Sequence, residues 1–357
     1  MIKAFFRNPK WTAWAYGGGA FLLISIYIQV QFTVYINGWY GGFYDMLQNP
    51  TGHDISEFWN GIFGLQMQPQ TLLGLPIVWF SSFFGLAIPY VVLATVTNYV
   101  TRLYAFRWRQ AITEDYIPRW RKVDHEIEGA SQRIQEDTQR FASIVQGLGL
   151  AFFRAVMTLI SFLPILWGLS SKVDIPGIRD IPGSLVWAAL LITVGGMIIS
   201  WFVGWYLPGL EYNNQKVEAA FRKELVLGED DKINHAQPDT LFSLFAGVRF
   251  NYHRLYLHYG YFDLWSNLYS QVTSLTPLIM IGPAMFAGAV TFGIYQQVAN
   301  AYSRVDGAFS IILDNWTTIT ELRSIWKRLH EFEANLDRFD AGTDTGGAEL
   351  ESPLPAE

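Results

Sequence analysis

The chain has 357 residues, 51% of them hydrophobic, 16% aromatic and only 16% charged, where a soluble domain averages about 25% charged. Mean hydropathy is +0.17 and the net charge is −6 at pH 7, a balance that fits membrane spans diluted by long polar segments and argues against nucleic acid as a partner. With no cysteine in the sequence, disulfides, Cys-ligated metals and thiol nucleophiles are excluded.

Met1–Lys10 is short and basic. Trp14–Ile36 follows, about 34 Å of helix against a hydrocarbon core of about 30 Å, and reads as a first span rather than a cleavable signal. Asn37–Leu47 carries Trp39, Tyr40, Phe43 and Tyr44, as expected at a membrane–water interface. Ile55–Leu65 reads as a short amphipathic connector. Thr71–Tyr104 is one long apolar stretch with Pro76 near its start and Pro89 inside; it is longer than a bilayer requires, so it should tilt or project. It runs on through Phe106–Tyr116, and Pro118 is expected to mark a break.

His125–Phe141 is dense in charge, and apart from Gly129 its residues suit a helix. Glu128, Gln132 and Glu136 recur at i, i+4, i+8 and form a ridge along one side. Two readings stand: a solvated connector with ordinary surface ion pairs, or carboxylates that carry protons or receive force from a partner. Phe141–Gly168 is the third expected span. Ser170–Pro182 is a loop, and Ser184–Leu207 is the fourth span. Gly209–Asp231 is a second charged helix, on which Glu211, Glu218 and Arg222 share a face and Glu218–Arg222 makes an i, i+4 pair. Leu241–Gly288 contains a fifth span rich in tyrosine, and Val290–Trp326 a sixth, broken by Arg304, Asp306, Asp314 and Glu321. Ala341–Glu357 is Gly-, Pro- and acid-rich and is expected to be a disordered tail following a transporter domain over residues 1–340.

Of the 25 Lys and Arg, 22 are assigned to one side of this arrangement. Only Lys172 and Arg179 fall on the other, Arg154 lies within the third span, and Asn37–Gln70 has none. The positive-inside rule then puts both termini in the cytoplasm with six spans between them.

No Gly-Lys dipeptide occurs in the sequence, so no phosphate-cradling Gly-x4-Gly-Lys loop is present. HExxH and Gly-x-Ser-x-Gly are absent, and His253 and His258 do not share a helix face. Neither a cofactor nor a metal is expected. Arg154, a cation in an apolar span, either snorkels or pairs within the bundle, or faces a cavity. The tyrosines of the fifth span, Tyr256 and Tyr259 among them, either pack and form an interface belt or line a peptide-tolerant wall. Arg154, Tyr256, Tyr259, Asp263 and Asp306 are the candidate cavity residues.

The segments FRWRQAITEDY, IEGASQRIQEDTQRFAS, LPGLEYNNQKVEAAFRKELVLGEDD and NWTTITELRSIWKRLHEFE closely resemble the SbmA/BacA peptide-antibiotic transporters of bacterial inner membranes, and WYGGFYDMLQ is similar to their segment after the first core span. More distantly the pattern resembles the membrane half of peroxisomal-type ABC transporters. Longer family members carry an additional N-terminal hydrophobic segment, whereas this chain begins close to the first core span. The resemblance implies an all-α, ABC-exporter-like membrane domain of six core helices with long cytoplasmic extensions. It implies a homodimer that works without a nucleotide-binding domain and imports peptides with protons. The family's functional glutamates carry over onto Glu128, Glu136, Glu211, Glu218, Glu224 and Glu229. The alternatives are a membrane subunit powered by a separate ATPase chain and a non-transporting scaffold or receptor.

Overall fold

The computed structural model describes residues 1–72, 75–123, 127, 129–173 and 181–346. They form two compact units, Met1–Leu169 with Thr291–Glu357, and Ser170–Val290.

In the first unit a short helix, α1 (Ile2–Phe6), precedes α2 (Ala13–Gln48), whose opening turns, Ala13–Gly18, are π-helical. The wider winding goes with a specific contact: the Tyr104 hydroxyl donates to the Ala15 carbonyl at 3.0 Å. A Cβ on Gly18 would lie 3.0 Å from the Tyr104 ring, so the glycine admits that close approach. The helix runs unbroken through the aromatic segment Asn37–Leu47, so the first span and its interface belt are one rod. It ends at Asn49, where Pro50 follows. Helix α3 (Ile55–Phe63) folds back on its end, with the Trp39 indole donating to the Gly61 carbonyl at 2.8 Å and Phe43 against Phe58.

The expectation of one helix from Thr71 is corrected. Met67–Leu72 (β1) and Leu75–Phe80 (β2) form an antiparallel hairpin in which Met67 faces Phe80 and Leu72 faces Leu75. Pro69 and Pro76 lack the amide proton that a helix interior needs, and Ile77-Val78-Trp79-Phe80 favours a pleated backbone. The helix α4 (Phe83–Trp120) starts where Ser82 caps it by accepting the Gly85 amide at 3.2 Å. Pro118 sits inside its last turn rather than before its end.

Gly129, at φ +69°, turns the chain into α5 (Ala130–Ser170), which is π-helical over Arg133–Asp137. The helix expected from His125 therefore begins at Ala130, and Glu128 lies outside the described residues. The expected sixth span is also corrected: it divides at Asn315 into α9 (Phe292–Asp314) and α10 (Trp316–Gly346). The latter continues past Ala341, and residues 347–357 lie outside the described set.

Helix α9 packs on α2 with almost nothing between the backbones. A Cβ on Gly293 would fall 2.1 Å from the Gly41 carbonyl oxygen. The first amides of α9, free of intrahelical partners, are taken by α2: Phe292 N–H donates to Gln48 Oε1 at 2.7 Å and Gly293 N–H to Asp45 Oδ1 at 2.9 Å. At the other end of the unit, Phe5, Tyr104, Trp108, Tyr116 and Phe141 pack with Ile325, Leu329 and Phe332 of α10 into a buried core.

The second unit is a hairpin. Helix α6 (Ser184–Gly204) turns at Trp205-Tyr206 into α7 (Leu207–Asp230), and α8 (Pro238–Phe286) packs along both. Gly196 lets α6 approach α8, since a Cβ there would meet the Tyr269 ring at 2.0 Å. Trp265 of α8 donates its indole N–H to Ser200 Oγ at 2.8 Å. Asp231 makes the turn into α8 by accepting the Ile233 and Asn234 amides, each at 3.1 Å.

Among the described residues four helices are long and apolar enough to cross a membrane: Ala13–Gln48, Phe83–Trp120, Ala130–Ser170 and Ser184–Asp230. Polar and charged positions such as Arg249, Arg254 and Asp263 dilute α8, and Arg304, Asp306 and Asp314 dilute α9, which is why the expected fifth and sixth spans stand apart from those four.

Candidate functional site

Between α2, α4, α5 and α9 of the first unit lies a cavity of about 710 Å³. Its wall is partly apolar but carries Asn37 and Thr33 from α2, Tyr90 from α4, Arg154 from α5, and Asn300 and Arg304 from α9. Arg154 is held by a relay of neutral groups. Its Nη2 donates to Gln29 Oε1 at 2.9 Å, Gln29 Nε2 donates to Thr97 Oγ1 at 2.8 Å, and Thr97 donates to the Leu93 carbonyl at 2.6 Å. Each donor in that chain has one acceptor, so the buried amide of Gln29 has a single satisfied orientation. Arg154 thus bonds within the bundle to an amide and also lines the cavity.

Two further groups on this wall were not singled out from the sequence. Asn37 is 4% exposed, and its Oδ1 is buried without a hydrogen-bond partner. Asn300 accepts from Gln296 at 3.4 Å through Oδ1, while its Nδ2 is buried and unpartnered. Asp306 is not among the lining residues. Tyr256, Tyr259 and Asp263 belong to α8 of the second unit, where all three are exposed and Tyr259 lies within electrostatic reach of Glu211 and Asp263. Arg304, counted from the sequence on the Lys/Arg-rich side, lines the same cavity as Arg154.

The first acidic segment separates its two neighbouring acids. Glu136 is half-exposed and pairs with Arg140 at 2.9 Å, while Arg140 also reaches Glu321 of α10 at 2.8 Å. Asp137 points inward, its side chain 1% exposed, and Arg328 of α10 grips it through two bonds, Nε to Oδ2 at 2.9 Å and Nη2 to Oδ1 at 2.7 Å. Arg133 adds a third at 3.1 Å. Burial pushes this carboxyl up, but the hydrogen bonds and charges of Arg328 and Arg133 outweigh it and hold it below the usual carboxylate range. No sequence signal pairs positions 137 and 328; the fold brings them together.

On α7, Glu211, Glu218 and Glu224 are partly buried and Glu229 is exposed. Glu224 faces His235 at 3.2 Å. The expected Glu218–Arg222 pair is not among the ion pairs of the described residues. None of the described glutamates of the candidate set lines the cavity.

Long apolar helices, three of which surround a polar, cation-bearing cavity together with α9, define a multi-pass membrane protein. Comparison with known proteins narrows this. The chain belongs to the SbmA/BacA-like family, whose model matches residues 8–337. It is 25% identical over 332 residues to the inner membrane ABC transporter ATP-binding protein YddA of Escherichia coli (strain K12), covering 87% of this chain and 55% of that relative. It is 26% identical over 349 residues to an uncharacterized ABC transporter ATP-binding protein, sll0182, of Synechocystis, covering 92% of this chain and 47% of that relative. A third relative is the chloroplastic ABC transporter D family member 2 of Arabidopsis thaliana, 25% identical over 269 residues, 71% of this chain and 36% of that protein. The chain thus spans about half the length or less of these curated relatives.

Proposed function

We propose that this protein imports peptides and peptide-like antibiotics across the bacterial inner membrane, as a homodimer that alternates its access and is driven by protons. The observation that carries the reading is the family match over residues 8–337. The cavity supports it: about 710 Å³ falls within the range of roughly 300–1,000 Å³ usual for ligand sites. Six spans with both termini in the cytoplasm follow from the Lys/Arg imbalance. The glutamates of α5 and α7 take up and release protons as the two subunits exchange faces. Each proton moving down 100 mV releases about 2.3 kcal/mol, enough to bias states a few kcal/mol apart.

The test is flux into liposomes holding the purified protein, with an imposed pH gradient and no nucleotide. Labelled peptide should accumulate, and Glu136→Gln and Glu218→Gln should abolish accumulation. The exposed Glu136–Arg140 pair contributes at most about 1 kcal/mol to stability, so its loss should leave the protein folded. Wild-type flux in both variants would overturn the proton-carrying role.

The names of the relatives favour a second reading, in which an ATPase supplies the drive. Cellular uptake that survives an uncoupler and stops on ATP depletion would select it.

A further inference from the structure

We infer that the cavity of the first unit is a receptor for the C-terminal end of a peptide. Arg154 and Arg304 would take the terminal carboxylate, and Asn37 and Asn300 the adjoining amide. The inference rests on the peptide-import reading and adds to it which end of the substrate is held, and by what.

Two guanidinium groups line this space, and among the described residues its lining contains no Asp or Glu. A cation in an apolar span is costly to leave unopposed, and Arg154, on α5, has a neutral amide as its hydrogen-bond partner. A guanidinium carries five N–H donors in a planar fork. The bond to Gln29 uses one of them, and the fork matches a carboxylate in geometry and charge. The asparagines make the demand more specific. Asn37 offers a buried acceptor and Asn300 a buried donor, each without a partner, and such groups are costly to leave unmade. A peptide unit carries one N–H donor and one C=O acceptor, so the last amide of a peptide supplies what each asparagine lacks. A phosphate group supplies acceptors but no donor for Asn37. The size of the cavity suits the end of a peptide, leaving the rest of a long chain outside it.

The test uses one labelled peptide free of Asp and Glu, made both as the C-terminal acid and as the C-terminal amide, with purified protein in detergent. The wild type should bind the acid about tenfold or more tighter than the amide. In Arg154→Gln and in Arg304→Gln that ratio should fall toward one, and Arg154→Lys should keep part of it. Unfolding midpoints accompany each variant, and Arg304→Gln, at an exposed position, carries the test if Arg154→Gln does not fold. A wild-type ratio near one, or a tenfold ratio that persists in both Gln variants, overturns this inference while leaving peptide import standing. Binding of neither form overturns the peptide reading and this inference with it. An anionic phospholipid that co-purifies with the wild type but not with the Gln variants, with a peptide ratio of one, assigns the cavity to a headgroup and overturns the inference.

Discussion

A carboxylate that is 1% exposed stays ionised only if charges hold it, and at Asp137 two arginines do. Removing the acid leaves Arg328 and Arg133 without their common partner, so Asp137→Ala should cost about 3 kcal/mol or more, read from thermal or denaturant unfolding. The pH dependence has a definite sign. Because the folded carboxyl sits below its ordinary value, its contribution is complete above the unfolded pKa of about 4 and is lost as pH falls through the folded one. Asp137→Asn should lack that part of the acid destabilisation, and midpoints measured between about pH 6 and 3 would show it. Glu136, next in sequence, points outward to Arg140. The charge density of the segment was legible in the sequence. Which of its two adjacent acids is buried was not, because Arg328, which grips Asp137 through two bonds, is 191 positions away.

The helices themselves were mostly legible, since apolar runs longer than a bilayer leave little choice of structure. Their joints were less so. The hairpin at Met67–Phe80 overlaps the start of the apolar run from Thr71, whose composition suits either strand or helix, and Pro69, Gly74 and Pro76 are its local marks. The division at Asn315 shows no proline or glycine at all. Close contact between elements is likewise invisible in composition. Gly41 and Gly293 are ordinary glycines in the sequence, yet they set the approach of α2 and α9. Gly293→Ala would drive a Cβ into the Gly41 carbonyl oxygen, a backbone atom that cannot swing away. We expect destabilisation of about 1–3 kcal/mol and loss of the capping bond from Gly293 to Asp45. Gly41→Ala meets instead the side chain of Gln297, which has rotamers to move into, and should cost less. Unfolding of the two variants in parallel checks the order.

At the scale of the whole molecule, the absence of cysteine makes the orientation directly measurable. A single cysteine at Thr51, exposed in the segment without Lys or Arg, should react with an impermeant maleimide in intact cells stripped of their outer membrane. One at Lys122, exposed beyond the end of α4, should react only after the membrane is opened; the reverse pattern would invert the proposed topology. Composition, the long apolar runs and the motif segments were enough to determine a multi-pass membrane protein of the SbmA/BacA-like family, because partition into a bilayer depends on local stretches of sequence and needs no long-range contact. The cavity with its two arginines and two asparagines that each bury an unpartnered atom, and the Asp137–Arg328 clamp, were decided only by tertiary structure. Both are built from residues more than a hundred positions apart, and no periodicity along one helix states which face of another it will meet.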